Sequence, residues 1–267
     1  ANNDLNTARK YLELLRKSSD MQFIGLKGLI TISIKEKNDN ETLKLLQEAQ
    51  LIKPKNLWIL DKLSILLAKS SKWDEAAKVL ENISDQENET VKINRASFLL
   101  KSGANPVQCW NASKNLIPAA LEIITYYLEN NQEKKAYEVI KYSWKNLQYL
   151  GMIELFMQKK ITNLKVSLRR LKLLHKALKD NIEYDETKLA LAYASYFASL
   201  WGESASYLEK IKKENWDQRA TDLCKKLKQE SDRIKLPKIP SQLSNIPEWM
   251  CGICGQQHSK WEIQCVS

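Results

Sequence analysis

The chain has 267 residues, 43% of them hydrophobic and 28% charged, which is enough for one large or two modest domains with a proper core. This composition excludes a disordered, a collagen-like and a disulfide-stapled protein. Only seven glycines and six prolines occur, and so few helix breakers predict a mostly helical chain. The net charge of +10 favours anionic partners, namely an acidic protein surface, lipid headgroups or nucleic acid.

The sequence shows no pattern typical of a transmembrane helix or of a signal peptide. The longest nearly apolar run, from Phe23 to Ile34, is interrupted by Lys27. It is shorter than the roughly 20 apolar residues that a transmembrane helix needs. No charged and apolar pattern typical of a signal peptide opens the chain.

A repeat period of about 34 residues recurs from the start of the chain. Two sets of residues align at this offset, namely Leu26, Leu29, Thr42, Leu46 and Ala49 with Leu60, Leu63, Ala76, Leu80 and Ile83. A third set follows with Ala120, Ile123, Ala136 and Ile140. In each set the first segment has apolar residues three or four apart, and the second has a small residue one turn before a leucine or isoleucine. This pattern predicts pairs of antiparallel helices that approach closely at the small residue.

With these features the chain resembles the tetratricopeptide repeat family over most of residues 1–230. The resemblance implies an all-α fold in which helix-turn-helix repeats form a right-handed superhelix. The step from Ala76 to Ala136 falls short of two full periods, so the unit around Cys109 and Trp110 is predicted to be shortened.

The first residues match the second helix of a repeat. Ala8 and Leu12 lie one period before Thr42 and Leu46, but no first helix precedes them. We therefore expect the chain to begin within a repeat.

A change in composition divides the end of the chain. Residues 231–247 contain Pro237, Pro240 and Pro247, half of all the prolines, with serines and asparagine between them. This predicts a linker after a repeat domain at 1–230. Residues 248–267 are predicted to form a truncated tail of the zinc-ribbon or rubredoxin type.

Cysteines in this tail predict a metal site. Cys251 and Cys254 are separated by two residues, and Cys265 follows. Such spacing presents two sulfurs to one metal ion, and zinc is favoured over iron. A tetrahedral site needs a fourth ligand, which is either His258 or a cysteine beyond the last residue given. The site is therefore expected to be incomplete in this chain.

A basic segment at 141–179 holds ten lysines and arginines against the single acid Glu154. Within it five cations step by four, three, four and three residues, which places them on one stripe of a helix: Lys165, Arg169, Lys172, Lys176 and Lys179. Leucines at 164, 168, 171, 174 and 178 form the neighbouring stripe, which is predicted to be buried. The basic stripe is either a solvated helix face or a docking surface for acidic protein or anionic lipid.

Other residues give weaker signals. His175 has no fixed cysteine or serine partner and is predicted to be a surface residue, while Cys109 and Cys224 are expected to be free thiols. Aromatic residues either line a concave groove or belong to the core: Tyr126, Tyr127, Tyr142, Trp144 and Tyr149. Since no phosphate-binding loop or catalytic motif is present, no catalytic residue is predicted and the protein is not expected to be an enzyme.

The order of parts is similar to that of the bacterial HemY family. The similar segments are 23–29, 38–40, 117–120, 136–144 and the tail at 249–265. This resemblance implies an inner-membrane protein whose amino-terminal membrane anchor is missing here, whose repeats face the cytoplasm and which is associated with late haem synthesis. It would be a scaffold that binds other proteins through the concave repeat surface and meets the membrane through the anchor and the basic stripe. Nucleic acid and small-molecule substrates are not expected as partners.

A second family has the same architecture. The lipopolysaccharide-assembly adaptors also join tetratricopeptide repeats to a rubredoxin-like pair of cysteine knuckles. Resemblance to them implies instead that the chain presents a client enzyme to a membrane protease.

Overall fold

The structure is a computed structural model that describes residues 2–81, 83, 88–159, 161, 163–230 and 232–246, with two short strands beyond them. Contacts divide the chain into unit 1, Ala1–Ser113, and unit 2, Lys114–Ser267. The helices of unit 1 are α1 (Asn2–Lys17), α2 (Gln22–Lys35), α3 (Asp39–Ile52), α4 (Leu57–Lys69), α5 (Trp73–Glu81), α6 (Glu89–Lys101) and α7 (Pro106–Ala112). Each packs against the next along the chain.

Unit 2 is also built from helices. They are α8 (Ile117–Glu129), α9 (Glu133–Ser143), α10 (Leu150–Gln158), α11 (Leu164–Leu178), α12 (Asp185–Phe197), α13 (Trp201–Glu209) and α14 (Gln218–Glu230). Helix α10 packs between α8 and α12, and α11 contacts α9 and α12. The all-α fold of paired helices predicted from the repeats is confirmed in the described part of the chain.

Asparagine side chains begin many of these helices. Asn38 precedes α3, and its side-chain oxygen accepts a hydrogen bond from the Glu41 amide at 3.2 Å. The same bond satisfies a free amide in the first turn of a helix after Asn56, Asn88, Asn105 and Asn163. The polar residues between the apolar segments therefore fix where the helices start.

Left-handed residues close the turns inside the helical pairs. Positive φ angles occur among the described residues at Lys37, Ser71, Gly103, Asn131 and Ser199. Each ends the first helix of a pair, and the amides there bond back to its last carbonyls, as Lys37 N does to Ile34 O at 3.1 Å. The turns at positions 37 and 71 are one repeat period apart, which agrees with the spacing of the apolar residues in the sequence.

The turns also locate the shortened unit. The step from Ser71 to Asn131 falls short of two periods, and Gly103 lies between them. Most of the shortening falls in α7, which has only 7 residues and still buries Cys109 and Trp110. The irregular unit predicted around these two residues is therefore present.

Small buried residues form the seam within each pair. Thr42 and Ala76 are buried on α3 and α5, each one turn before a buried leucine. The hydroxyls of Ser33 and Thr42 lie 2.8 Å apart across the first of these pairs. In unit 2 the Ser204 hydroxyl donates to the Ala192 carbonyl at 2.7 Å. These short side chains let the helices approach while their polar atoms remain hydrogen-bonded.

Two residues of the predicted leucine stripe on α11 are not fully buried. Leu171, Leu174 and Leu178 are buried, but Leu164 is 52% exposed and Leu168 is half-buried. The predicted burial of Leu164 is wrong, since this residue is the first of the helix, and that of Leu168 holds only in part.

Residues 232–246 run along unit 2 without regular structure. The Ser244 amide donates to the Trp216 carbonyl at 2.9 Å, which holds this segment near the start of α14. Beyond it, β1 (Trp249–Met250) and β2 (Gln257–His258) pair in antiparallel fashion, with Trp249 opposite His258. The predicted division into repeat domain, linker and tail stays a prediction.

A glycine sets the distance between α1 and α2. A Cβ at Gly25 would lie 2.5 Å from the Arg16 amide nitrogen and 2.7 Å from the Leu12 carbonyl oxygen. We expect Gly25→Ala to lower the free energy of unfolding by about 1–3 kcal/mol, because backbone atoms cannot move aside as a side chain can. Gly202→Ala is the matched control, since beyond its own helical backbone and chain neighbours no atom lies within 4 Å of its Cβ position.

The control should be neutral or stabilising by up to about 1 kcal/mol, since alanine favours a helix over glycine. Urea unfolding followed by circular dichroism measures both variants. Equal midpoints for the two variants would contradict the close approach of α1 and α2.

Candidate functional site

The five cations predicted as a stripe all lie on the exposed surface at α11. Lys165, Arg169, Lys172 and Lys176 are exposed on the helix itself, and Lys179 follows its last residue. The opposite face carries the buried Leu171 and Leu174 and anchors the helix. The charges are therefore presented by a packed helix and not by a loop. We call these five residues the basic stripe, and their role in binding stays a prediction.

Arg169 is the one member of the basic stripe that forms a bidentate ion pair. Its guanidinium donates to both carboxylate oxygens of Glu133 on α9, at 3.0 and 2.9 Å. Lys179 lies 4.0 Å from Asp180, where both side chains are well exposed to solvent. Because both groups are exposed, the pair is weak, and most of the positive charge of Lys179 remains available to a partner. The positive potential of the stripe therefore comes chiefly from its four lysines.

The neighbouring Arg170 has a structural position that the sequence analysis did not predict. Its side chain is only 4% exposed and donates to Glu133 at 2.9 Å through Nε. Its Nη1 donates to the carbonyls of Phe156 and Lys159, which end α10, with 2.8 Å to the second. Arg170 therefore caps α10 and holds it against α9 and α11.

Glu133 joins the two arginines. Burial raises the pKa of its carboxyl group, but the hydrogen bonds from Arg169 and Arg170 outweigh this effect, so that the pKa lies below its usual value. The carboxylate is thus ionised at neutral pH and neutralises part of the charge counted in the segment 141–179. The burial of Arg170 could have been inferred from the sequence, because Arg170 lies one helical turn before Leu174 and therefore on the apolar face of α11.

A second charged cluster lies where α12 and α14 begin. Arg219 donates to Glu186 at 2.8 and 2.7 Å and to Asp217 at 2.9 Å. Burial disfavours the charged form of Arg219, but these two carboxylates raise its pKa above the usual value. Asp217 also accepts the amides of Arg219 and Ala220, as the residue before a helix does. The cluster therefore fastens the start of α14 to α12.

A cavity of about 310 Å³ lies beside this cluster, lined by Tyr184, Asp185, Asn215 and Ser244 among others. Burial raises the pKa of Asp185, but hydrogen bonds from Lys188, Asn215 and the Lys212 amide outweigh this effect. The pKa of Asp185 therefore lies below its usual value. Its carboxylate is held ionised. An acid with a lowered pKa is a poor proton acceptor, so Asp185 suits a structural role better than general base catalysis.

The aromatic candidates divide between core and surface. Trp144 is fully buried, and its indole nitrogen donates to the Thr187 hydroxyl at 2.9 Å. Tyr142 is 48% exposed beneath Lys114, whose Nζ lies 5.1 Å from the ring centre. Tyr126, Tyr127 and Tyr149 are half-buried in unit 2. Trp144 is therefore a core residue, and Tyr142 is the most accessible of the five.

His175 lies beside a carboxylate at the surface of unit 2. Its Nε2 is 3.2 Å from Oε1 of Glu203, and its ring meets the edge of Tyr207 at 6.0 Å between centres. The side chain is 38% exposed. This agrees with the predicted surface position.

The predicted metal ligands Cys251, Cys254 and Cys265 lie outside the described residues. Cys109 and Cys224 are buried thiols outside any disulfide, and burial raises the pKa of the Cys224 thiol. Within the described part of the chain no group of three or more histidine, cysteine, aspartate or glutamate side chains is arranged to hold a metal ion. The zinc site predicted from the spacing stays a prediction.

None of the helices in the described ranges is both long enough and apolar enough to cross a bilayer. No protein-family model matches the chain. No curated protein matches it. Solved structures do match, among them a tetratricopeptide repeat protein from Parabacteroides merdae with 14% identity and a TM-score of 0.39. That alignment covers 85% of this chain and 93% of the other.

Two adjacent arginines provide a test of the site's construction. Arg170→Ala should lower the free energy of unfolding by about 2–4 kcal/mol, since it leaves the end of α10 uncapped and Glu133 without its buried partner. Arg169→Ala is the matched control and should cost less than about 1 kcal/mol, because this side chain is 60% exposed. Urea denaturation measures both, and a similar loss for the two variants would refute the capping role.

Proposed function

We propose that the protein is a non-catalytic scaffold that binds other proteins. The observation that carries this proposal is the basic stripe, in which a packed helix, α11, displays three lysines and an arginine and Lys179 follows its end. Tandem helical pairs bury their apolar faces against each other and leave their outer side chains available for partners. The carboxylates of Glu186 and Asp217 are engaged by Arg219 and hold α14 against α12, which is a structural role.

We place this scaffold at the cytoplasmic face of the bacterial inner membrane, in association with late haem synthesis. The similarity of segments 23–29, 117–120 and 249–265 to the HemY family supports this assignment. Anionic headgroups or an acidic protein face would meet the basic stripe with complementary charge. Cross-linking from membranes should recover haem-pathway enzymes, whereas recovery of a membrane protease would favour the lipopolysaccharide-assembly adaptor.

Charge reversal tests the basic stripe. We expect the triple variant Lys165→Glu, Lys172→Glu and Lys176→Glu to abolish capture by anionic vesicles or by the acidic partner at low salt. Arg169 is left unchanged, because a glutamate there would face Glu133 and disturb α9. The matched control reverses three exposed lysines of unit 1, namely Lys35, Lys37 and Lys44.

Both triple variants change the net charge equally, so a general charge effect would weaken capture in both. Loss in the α11 variant alone supports the assignment of the stripe. Capture by the α11 variant at the level of the unaltered protein would refute it. Sedimentation with vesicles at low and high salt provides the measurement.

We also propose that Cys251, Cys254 and Cys265 contribute to a zinc site. The pairing of β1 with β2 brings the two ends of the segment containing Cys251 and Cys254 side by side, which supports a knuckle. We expect one zinc ion per molecule in a chain extended by a cysteine directly after Ser267, which would complete a Cys-Val-Ser-Cys knuckle. Elemental analysis measures it, with Cys109→Ser and Cys224→Ser as controls that retain the metal. Less than half an equivalent of zinc would contradict the site.

A further inference from the structure

Exposed apolar side chains are concentrated at one margin of unit 1. The described part of unit 1 has eight exposed large apolar residues. Six of them lie at the ends of α1 and α3 and at the starts of α2 and α4. These six residues, which we call the α1–α4 edge, are Leu14, Met21, Ile24, Leu51, Ile52 and Leu57. Leu51 is 84% exposed, the most of any large apolar side chain described.

Two cation–π contacts bring together the helix ends that carry this edge. Lys27 on α2 places its Nζ 5.3 Å from the centre of the Trp58 ring on α4. Lys53, just after α3, places its Nζ 4.3 Å from the centre of the Phe23 ring on α2. These two contacts join the start of α2 to the end of α3 and the start of α4. Each of the six apolar residues belongs to one of these helix ends or to the adjoining end of α1.

The charge around the edge is positive. Four lysines are exposed there, namely Lys17, Lys27, Lys53 and Lys55. Arg16 pairs with both Glu13 and Glu48, which leaves one negative charge, and Lys62 lies 3.5 Å from Asp61. Asp20 adds a second negative charge, so the four lysines still outnumber the uncompensated acids of this margin. The apolar side chains are therefore surrounded by a net excess of cations.

We propose that the α1–α4 edge docks on the surface of a bilayer that contains anionic lipids. Leucine, isoleucine, phenylalanine and tryptophan side chains enter the boundary between headgroups and acyl chains, while lysines bind the anionic headgroups. Because the patch lies at helix ends and not along a helix face, it matches a plane better than a helical peptide. This surface lies in unit 1, is independent of the basic stripe in unit 2, and goes beyond the proposed function.

Two isoleucines on the same helix provide a matched test. Ile24 at the start of α2 is 55% exposed, and Ile34 near its end is 42% exposed. We expect Ile24→Ser and Leu51→Ser each to lower the partition of the protein into vesicles of phosphatidylcholine and phosphatidylglycerol in equal parts by about tenfold. Ile34→Ser should leave partition unchanged. Because all three side chains are exposed, the circular dichroism spectrum should stay the same.

The lysines provide a second arm. The double variant Lys53→Gln and Lys55→Gln should lower partition into the mixed vesicles by about tenfold, with no comparable loss on phosphatidylcholine alone. Equal partition of the Ile24→Ser, Leu51→Ser and Ile34→Ser variants would overturn the proposal. It would also be overturned if Leu51→Ser dissociated a dimer and left vesicle partition unchanged, since the edge would then bind a second copy.

The variants of the basic stripe separate this inference from the proposed function. If the edge variants lose vesicle capture and the stripe variant retains it, the edge is supported and the stripe is not a lipid-binding surface. If only the stripe variant loses capture, the edge proposal is overturned and the proposed function stands.

Discussion

The fold depends on how closely the two helices of a pair can approach each other. Thr42 on α3 and Ala76 on α5 are buried at the seam, where a larger side chain would separate the backbones. Just before each of these residues a left-handed turn reverses the chain, and it recurs at positions 37 and 71. Close approach and tight reversal recur in successive pairs, and this recurrence appears in the sequence as the repeat period.

Two adjacent cations on a packed helix have opposite environments, one exposed to solvent and the other buried. Arg169 and Arg170 are neighbours in the sequence, but Arg169 is 60% exposed and Arg170 only 4%. The buried guanidinium is compensated by Glu133 and by the final carbonyls of α10, as the burial of a charge requires. Arg219 is compensated in the same way by Glu186 and Asp217. A count of charges along the chain therefore overestimates what is available to a partner.

Much of the fold was predictable because it depends on local periodicity. The positions of Leu46, Ala76 and Ile140 fix the helical pairs, and the shortened unit followed from spacing alone. The tertiary roles of Arg170 and Arg219 were not predictable, since their carboxylate and carbonyl partners come from other helices. The exposure of Leu164 was missed because a helical stripe does not show where the packing partners end. Of the candidate site, the sequence predicted the exposed lysines of α11 and not the acid that neutralises Arg169.

The short helix α7 has a consequence for local opening. With 7 residues it has two buried side chains, whereas α3 with 14 has four. In an array whose members contact chiefly their neighbours, the weakest member opens first and the rest can remain folded. The amides of α7 should therefore exchange with solvent deuterium sooner than those of α3, and transient opening would expose the thiol of Cys109.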